Sequence, residues 1–188
     1  MSDPTKPDGE NSMFGDPSPA ERIARMVRVD QAGEYGAVRI YQGQLAVLGA
    51  RKGCGDMLRH MAEQEQQHLD TFNKMVAERR VRPTLLEPLW HLAGFALGAG
   101  TALLGEKAAM ACTVAVEEVI EEHYADQAAA LGDDESGLRE TIRKFRDEEL
   151  AHRDTALANG AEEAPGFALL SAAIKAGARL AIRLSERI

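Results

Sequence analysis

One pattern of acidic and histidine residues occurs twice in this chain and constrains its fold more than any other feature. In each half, a glutamate is followed 31 or 32 residues later by a Glu-x-x-His motif. The six residues are Glu34, Glu65 and His68 in the first half, and Glu117, Glu149 and His152 in the second. Because residues three positions apart share one face of an α-helix, each motif can hold a metal ion. The pattern therefore predicts helices whose acidic faces meet.

Taken together, the two sets indicate a dinuclear metal site. If each upstream glutamate lies on a helix antiparallel to its Glu-x-x-His helix, the halves place four carboxylates and two imidazoles around a pair of ions. Such a ligand set is typical of carboxylate-bridged di-iron or di-manganese helical bundles. The alternative is that these residues are exposed side chains of amphipathic helices. A single Glu-x-x-His motif would fit that alternative, but the repeated upstream glutamate favours the metal site.

The composition favours closely packed helices and limits the class of partner. Hydrophobic residues make up 45% of the chain and aromatic residues only 5%, so the core must be aliphatic. A net charge of −8 argues against nucleic-acid binding as the main role. Cys54 and Cys112 lack the spacing of a disulfide framework or a zinc site, which predicts reduced thiols.

Helix signals predict a single all-α domain, residues 18–188, after a disordered polar tail at residues 1–17. The tail is rich in proline and glycine, without the pattern of a secretory signal or a transit peptide. Ser18, Pro19 and Glu21 provide an N-cap, a first-turn proline and a capping-box glutamate. The result is a four-helix bundle with additional apolar and amphipathic helices. The four main helices are expected at about 18–48, 56–80, 106–131 and 138–159.

Two further segments, residues 85–105 and 167–188, are expected to contact a membrane surface. The stretch Leu89–Gly105 joins the two halves and carries no formal charge, but it is short and glycine-rich for a membrane span. Its Gly94-x-x-x-Gly98 motif would permit a close helix contact, as in a dimer. In the last segment, basic residues recur every four positions beside an apolar stripe, as in helices that bind anionic membranes. These basic residues are Lys175, Arg179, Arg183 and Arg187. The alternative is that both segments simply pack on the bundle.

Four longer runs resemble the 5-demethoxyubiquinone hydroxylase family, and the resemblance covers about residues 20–188. The runs are Arg28–Ala37, Pro88–Gly105, Ala111–Glu118 and Phe145–His152. Members of that family are ferritin-like di-iron monooxygenases of ubiquinone biosynthesis. The resemblance therefore implies an all-α, ferritin-like four-helix bundle. The family's iron ligands match positions present here: Glu34, Glu65, His68, Glu117, Glu149 and His152.

The resemblance also implies a substrate, cofactors and partners. The expected reaction hydroxylates the ring of a demethoxyubiquinol that carries a polyprenyl tail, using O2 and two carboxylate-bridged iron ions per subunit. The family is membrane-associated, so we expect a peripheral protein on the cytoplasmic face of the cell membrane. The reductant is expected to be NADH or a reductase. A homo-oligomer and a lipid-binding or other ubiquinone-biosynthesis partner are further expectations.

Within the site, Glu65 and Glu149 are the candidate bridging carboxylates, and the two upstream glutamates are then terminal ligands. Tyr41 and Tyr124 each follow an upstream glutamate by seven residues, so each shares that ligand's helix face. We expect Tyr124 and His123 to move electrons or protons between quinol and iron, the alternative being ordinary core residues. Ligand histidines also need an acceptor for their second ring nitrogen. The candidate acceptors are Glu148, Asp30 and Glu121.

Three other functions fit parts of the pattern. Iron storage or detoxification uses the same bundle, but its soluble shells have no use for an uncharged insert between the halves. A peroxidase or catalase acting on small peroxides would not need a lipid-facing groove. A purely structural bundle would contain neither iron nor manganese.

Overall fold

The computed structural model describes residues 17–188, and over this range the chain forms six α-helices. They are α1 (Pro19–Leu48), α2 (Cys54–Glu78), α3 (Glu87–Leu103), α4 (Glu106–Ala130), α5 (Ser136–Ala158) and α6 (Phe167–Ser185). Two short 3-10 turns precede α5 and α6, and this part of the chain contains no strand. The all-α prediction is therefore confirmed. The tail predicted at residues 1–17 lies, apart from Pro17, outside the described residues.

The helix ends follow the local signals. At the start of α1, the backbone N–H of Glu21 donates to Ser18 Oγ at 3.2 Å, and the Ser18 N–H donates to Glu21 Oε2 at 2.7 Å. This is the reciprocal capping box that the sequence predicts. After α5, Gly160 takes a left-handed conformation with φ of 83°, which glycine adopts without steric cost.

Two antiparallel hairpins, α1–α2 and α4–α5, make up the bundle, and α3 connects them. Helix α3 packs along α1, while α6 packs along α4. Apolar clusters fill the two ends of the bundle. One contains Tyr41, Leu58 and Met61, and the other contains Phe72 and Tyr124. The middle of the bundle, between these clusters, is left to the acidic residues and histidines.

Glycines bring α3 unusually close to α1. A Cβ atom added at Gly98 would collide with the backbone carbonyl of Ile40, and one added at Gly94 would lie 2.9 Å from the carbonyl oxygen of Gly36. Gly43 on α1 meets the α3 backbone in the same way. The Gly94-x-x-x-Gly98 motif therefore permits the close helix contact that the sequence predicts, and its partner is α1 of the same chain.

The basic stripe predicted on α6 faces α4 over part of its length. Lys175 forms an ion pair with Glu118, and Arg179 Nη2 lies 2.8 Å from Glu122 Oε2. These two cations therefore connect α6 to the bundle rather than standing free. None of the helices within residues 17–188 combines the length and the hydropathy that a bilayer crossing requires.

Large apolar side chains are exposed almost exclusively on the two segments that join or end the bundle. Within the described range, every strongly exposed large apolar side chain belongs to residues 85–105 or 167–188. The most exposed are Leu92, Leu103, Leu104 and Leu169.

The two cysteines, Cys54 and Cys112, form no disulfide with each other, and Cys112 is buried.

Candidate metal centre

The six residues with the doubled spacing lie together in the middle of the bundle. None of these residues is more than 2% exposed. Their ligand atoms fall into two groups, and within each group the atoms lie within 4.8 Å of one another. The first group is Glu34, Glu65, His68 and Glu149; the second is Glu65, Glu117, Glu149 and His152. Either group could hold a metal ion.

In the first group, the Nδ1 atom of His68 faces three carboxylates. It lies 3.1 Å from Glu149 Oε1, 3.6 Å from Glu34 Oε2 and 3.9 Å from Glu65 Oε2. Helices α1 and α2 supply three of the four side chains, and α5 supplies Glu149. The Glu-x-x-His spacing places Glu65 and His68 on one face of α2, as the sequence predicts.

The second group repeats this arrangement with the halves exchanged. The Nδ1 atom of His152 lies 2.9 Å from Glu65 Oε1 and 3.3 Å from Glu149 Oε2. Glu117 on α4 takes the place that Glu34 has in the first group. Glu65 and Glu149 are common to both groups, so their two oxygens can be divided between two ions, as expected of bridging carboxylates.

Each ligand histidine is held through its second ring nitrogen by a residue of the opposite half. His68 Nε2 lies 2.7 Å from Glu148 Oε2, and His152 Nε2 lies 3.1 Å from Gln64 Oε1. Of the three predicted acceptors, only Glu148 contacts a ligand histidine. Gln64 was missed, although the sequence contains a signal for it. Glu148 and Gln64 each directly precede the glutamate of a Glu-x-x-His motif.

The other two predicted acceptors have different partners, so the prediction was wrong for both. Asp30 contacts Gln127 and His123, and Glu121 accepts a 2.6 Å hydrogen bond from Arg146 Nε. Neither carboxylate contacts His68 or His152. The second ring nitrogens of these histidines are instead contacted by Glu148 and Gln64.

Two buried tyrosines cross between the halves. Tyr41 on α1 donates a 2.8 Å hydrogen bond to Glu117 Oε1 on α4, and Tyr124 on α4 donates to Glu34 Oε1 on α1. Each tyrosine thus lies on the helix of one upstream glutamate and binds the other one. The spacing of seven residues correctly placed both hydroxyls inside the bundle but gave no information about this exchange.

His123 lies near the surface and contacts two polar residues of the bundle. Its Nε2 atom is 2.8 Å from Gln127 Nε2 and 3.3 Å from Oδ1 of the buried Asp30. The His123 side chain is 18% exposed and lines a surface pocket of about 300 Å³ with Arg179 and Arg183. Tyr124, the next residue, is buried against Glu34. His123 thus lies at the surface pocket and Tyr124 at the cluster, with their ring centroids 6.4 Å apart.

Burial and crowding strongly perturb the carboxyl groups of the cluster. Burial, reinforced by the charge of Glu149, raises the pKa values of Glu65 and Glu117 well above the usual range, and burial also raises the pKa of Glu34. Glu149 is the exception. Although burial opposes it, contacts with the imidazoles of His152 and His68 lower the pKa of Glu149 to about 2.

The two imidazoles show the complementary effect. Although burial opposes it, the carboxylates of Glu149 and Glu34 raise the pKa of His68 to about 11. In the same way Glu149 and Glu65 raise the pKa of His152 to about 9. The cluster therefore binds protons strongly, and these are the protons that divalent ions would displace.

Several ligand atoms of the cluster lack hydrogen bonds within the protein, and metal ions could satisfy them. Glu34 Oε2, Glu65 Oε2, Glu117 Oε2 and His68 Nδ1 are buried and make no hydrogen bond of good geometry, although His68 Nδ1 faces three carboxylates. Buried polar atoms without partners cost about 1–3 kcal/mol each. Four carboxylates would balance the charge of two divalent ions, and oxygen with imidazole nitrogen is a donor set that suits iron and manganese.

A large apolar groove runs beside the cluster, between α3 and α6 and over α1 and α4. Its volume is about 580 Å³. Two of its lining residues, Gly33 and Val116, directly precede Glu34 and Glu117 in the chain. Groove and cluster therefore lie on adjacent sides of the same two helices. Neither Gly33 nor Gly36 would bring an added Cβ within 4 Å of any atom, so these glycines leave the groove open.

Comparisons with known proteins agree on one family. Residues 21–185 match the family model described as "Ubiquinone biosynthesis protein COQ7". A 3-demethoxyubiquinol 3-hydroxylase of Rhodospirillum rubrum is 68% identical over 179 residues, which are 95% of this chain and 84% of that protein. The mitochondrial NADPH-dependent 3-demethoxyubiquinone 3-hydroxylase of Homo sapiens is 54% identical over 170 residues, covering 88% and 78%. The mitochondrial 5-demethoxyubiquinone hydroxylase of Saccharomyces cerevisiae is 44% identical over 182 residues, also covering 88% and 78%.

Proposed function

The chain belongs to the COQ7 family of ubiquinone biosynthesis proteins, and from this we propose that it hydroxylates a demethoxyubiquinol ring with O2 at a di-iron centre. It is a hydroxylase of ubiquinone biosynthesis, as its relatives are named. The observation that carries the proposal is the convergence of both Glu-x-x-His sets in one buried cluster. A storage role on the same fold would leave the adjoining apolar groove without a purpose.

In this proposal, six side chains hold two iron ions. Glu65 and Glu149, which belong to both groups, would be shared by the two ions, and each ion would also be held by one upstream glutamate and one histidine. The ligands are Glu34, Glu65, His68, Glu117, Glu149 and His152. When bound, iron supplies the reductive activation of O2 that no amino-acid side chain can perform. The unpaired carboxylate oxygens of the cluster support this assignment.

The protein contributes position, exclusion of water and control of protons. Apolar residues of both end clusters keep bulk water away from the carboxylates. Tyr124 holds Glu34 through its hydroxyl group and is adjacent to His123, which reaches the surface. We propose that Tyr124 and His123 pass protons or electrons between the quinol and the metal centre. The contact of Tyr124 with Glu34 and the position of His123 at the surface pocket support this role.

The groove would take the polyprenyl tail of the substrate. A polyprenyl chain is apolar, and burying each of its methylene groups contributes about 0.8 kcal/mol. The groove is lined almost entirely by apolar side chains from four helices, among them Ile40, Leu97, Val116 and Ile174. Because the groove borders Glu34 and Glu117 along α1 and α4, a tail lying in it would keep the ring near the metal centre.

We further propose that one ferritin-like domain, residues 18–188, binds peripherally to the cytoplasmic face of the cell membrane through residues 85–105 and 167–188. Exposed leucines such as Leu92 and Leu169 on these segments support the proposal, since large exposed apolar surfaces usually mark interaction sites. The reductant is proposed to be NADH or a partner reductase. A homo-oligomer and a lipid-binding partner remain predictions.

Metal counting and turnover of the purified chain test this function. The protein, reduced without oxygen, should contain about two iron ions per subunit and show the spectroscopic signature of a coupled pair. Adding O2 and demethoxyubiquinol should then give a product heavier by one oxygen atom in mass spectrometry. A protein that binds two ions but returns the substrate unchanged would contradict the proposed reaction. A protein that binds no iron would contradict the metal centre itself.

A further inference from the structure

The metal cluster is nearly symmetric, but the acceptors behind its two histidines differ in charge. Glu148 and Gln64 occupy equivalent positions, each directly before a bridging glutamate and each in contact with the histidine of the other half. Glu148 is a carboxylate 2.7 Å from His68 Nε2, whereas Gln64 is a neutral amide 3.1 Å from His152 Nε2. The two ligand sets themselves contain the same residue types, three glutamates and one histidine each.

We infer that the two metal positions are unequal, and that the position of Glu34 and His68 binds a divalent ion more tightly than the position of Glu117 and His152. This inference rests on the proposed metal centre. A carboxylate that accepts the second ring N–H makes the imidazole a stronger donor to the metal. A hydrogen bond to an ionised acceptor is roughly twice as strong as one between neutral groups. The Glu148 charge also attracts the cation itself.

The surroundings of Glu148 preserve this difference. Phe145 stacks on the His68 ring with the centroids 4.0 Å apart, which fixes the ring plane that Glu148 contacts. Lys144 Nζ lies 3.7 Å from the other Glu148 oxygen, but the Lys144 side chain is 67% exposed. Water therefore screens that ion pair, and the lysine offsets only part of the carboxylate charge.

Titration of the metal-free chain with Mn(II), followed by calorimetry, measures the two positions separately. The natural chain should show two dissociation constants that differ about 10- to 100-fold, the usual effect of an acceptor behind a ligand histidine. Glu148→Gln should weaken the tighter position until the two constants nearly coincide. Gln64→Glu should tighten the weaker position by a similar factor.

A spectroscopic measurement at low loading checks the same point. With one equivalent of Mn(II), the natural chain should show the electron paramagnetic resonance signal of isolated ions at one position. In Glu148→Gln, the ions should distribute over both positions, and coupled pairs should appear beside isolated ions of two kinds.

Two variants serve as charge-matched controls. Glu140→Gln removes a charge from an exposed position of α5, and Gln67→Glu adds one at an exposed position of α2. Both should leave the two constants unchanged. Thermal unfolding of every variant without metal checks that it folds. If Glu148→Gln does not fold, Gln64→Glu tests the inference alone. Gln64 is half-buried, so the added carboxylate keeps contact with water.

The outcomes distinguish a failure of this inference from a failure of the proposed metal centre. Two bound ions whose constants are the same in the natural chain, in Glu148→Gln and in Gln64→Glu would overturn the inference and leave the dinuclear centre intact. A natural chain that cannot bind two ions would overturn the centre and the inference together.

Discussion

At the level of single residues, spacing in the sequence identified the groups of the cluster but not their partners. The Glu-x-x-His spacing is a property of one helix, so it could be derived from helix geometry alone. The hydrogen bonds from Tyr41 to Glu117 and from Tyr124 to Glu34 depend on how two helices meet across the bundle. No local pattern contains that information. Only the position of Gln64, which repeats that of Glu148, could have been found from the sequence.

The crossed tyrosines provide a matched pair of substitutions for testing a functional role. Tyr124→Phe and Tyr41→Phe each remove one buried hydroxyl group that donates a hydrogen bond to an upstream glutamate. This loss should cost about 1–3 kcal/mol of stability in both variants. Only Tyr124 is next in sequence to His123, which lines the surface pocket. We therefore expect kcat to fall at least about 10-fold more in Tyr124→Phe than in Tyr41→Phe, by analogy with proton-transfer groups. Equal losses of kcat at equal metal content would mean that both tyrosines are structural.

At the level of helices, the sequence predicted the existence and type of each element but not which surfaces they share. Capping residues and glycines marked the ends of α1 and α5, because those signals are local. The uncharged stretch Leu89–Gly105, which includes most of α3, was compatible with a membrane surface, a helix contact in a dimer or a buried helix. Its actual packing against α1 depends on Gly43 and Gly98 meeting across 55 residues of chain, which composition cannot show.

The contact between α1 and α3 should tolerate no side chain at Gly98. Gly98→Ala places a Cβ against the Ile40 carbonyl, and such overpacking costs about 1–3 kcal/mol. Gly100 lies on the same helix with no atom near its missing Cβ. Gly100→Ala should instead stabilise the chain by up to about 1 kcal/mol, through helix propensity. Urea unfolding measures both, and a neutral Gly98→Ala would contradict the close approach of the two helices.

Filling the groove should separate substrate binding from metal binding. Gly36→Leu directs a side chain into open space that we assign to the polyprenyl tail. We expect KM for a long-tailed quinol to rise about 10-fold or more, equivalent to about two buried methylene groups, with iron content unchanged. Gly100→Leu is the control, since Gly100 is exposed and does not line the groove. An unchanged KM in Gly36→Leu would place the tail elsewhere.

At the level of the whole molecule, the exposed leucines define the surface that we propose to face lipid. Leu92→Gln combined with Leu169→Gln should reduce sedimentation with vesicles that contain anionic lipid, because it removes two of the most exposed apolar side chains. Ala151→Gln, at an exposed position of α5, should bind vesicles as the natural chain does. Deleting residues 167–188 should also release the protein from vesicles, but it removes a wall of the groove as well. Full vesicle binding by the double variant would contradict the proposed surface.

Metal removal should lower the stability of the entire bundle, since the ligands come from four helices. With free Mn(II) at about 100 times Kd, binding adds about 2.7 kcal/mol. For a chain of this size, that corresponds to a rise in Tm of about 5–10 °C. Differential scanning calorimetry with and without a chelator measures the change, and an identical Tm in both samples would contradict the centre.

The stabilisation by metal should also grow with pH. The pKa values of Glu34, Glu65 and Glu117 are raised on folding, mainly by burial. In the metal-free protein, their contribution to stability is fully present below pH 4.5 and is lost as the pH rises through the raised values. Bound ions favour the ionised carboxylates, so the metal-loaded protein should not show this loss. The difference in Tm between the two forms should therefore widen from about pH 5 to about pH 8. A constant difference would argue against proton displacement at the cluster.

The two halves of the bundle exchange ligands and hydrogen bonds, so cutting the chain between them should separate the parts of the centre. Cleavage between Leu104 and Gly105 would leave one fragment with α1 to α3 and another with α4 to α6. Each fragment would keep three of the six ligands but would lack a bridging carboxylate, a tyrosine hydroxyl and the acceptor behind its histidine. Neither could assemble a complete centre alone, so recovery of metal binding on mixing would report reassembly of the two pieces.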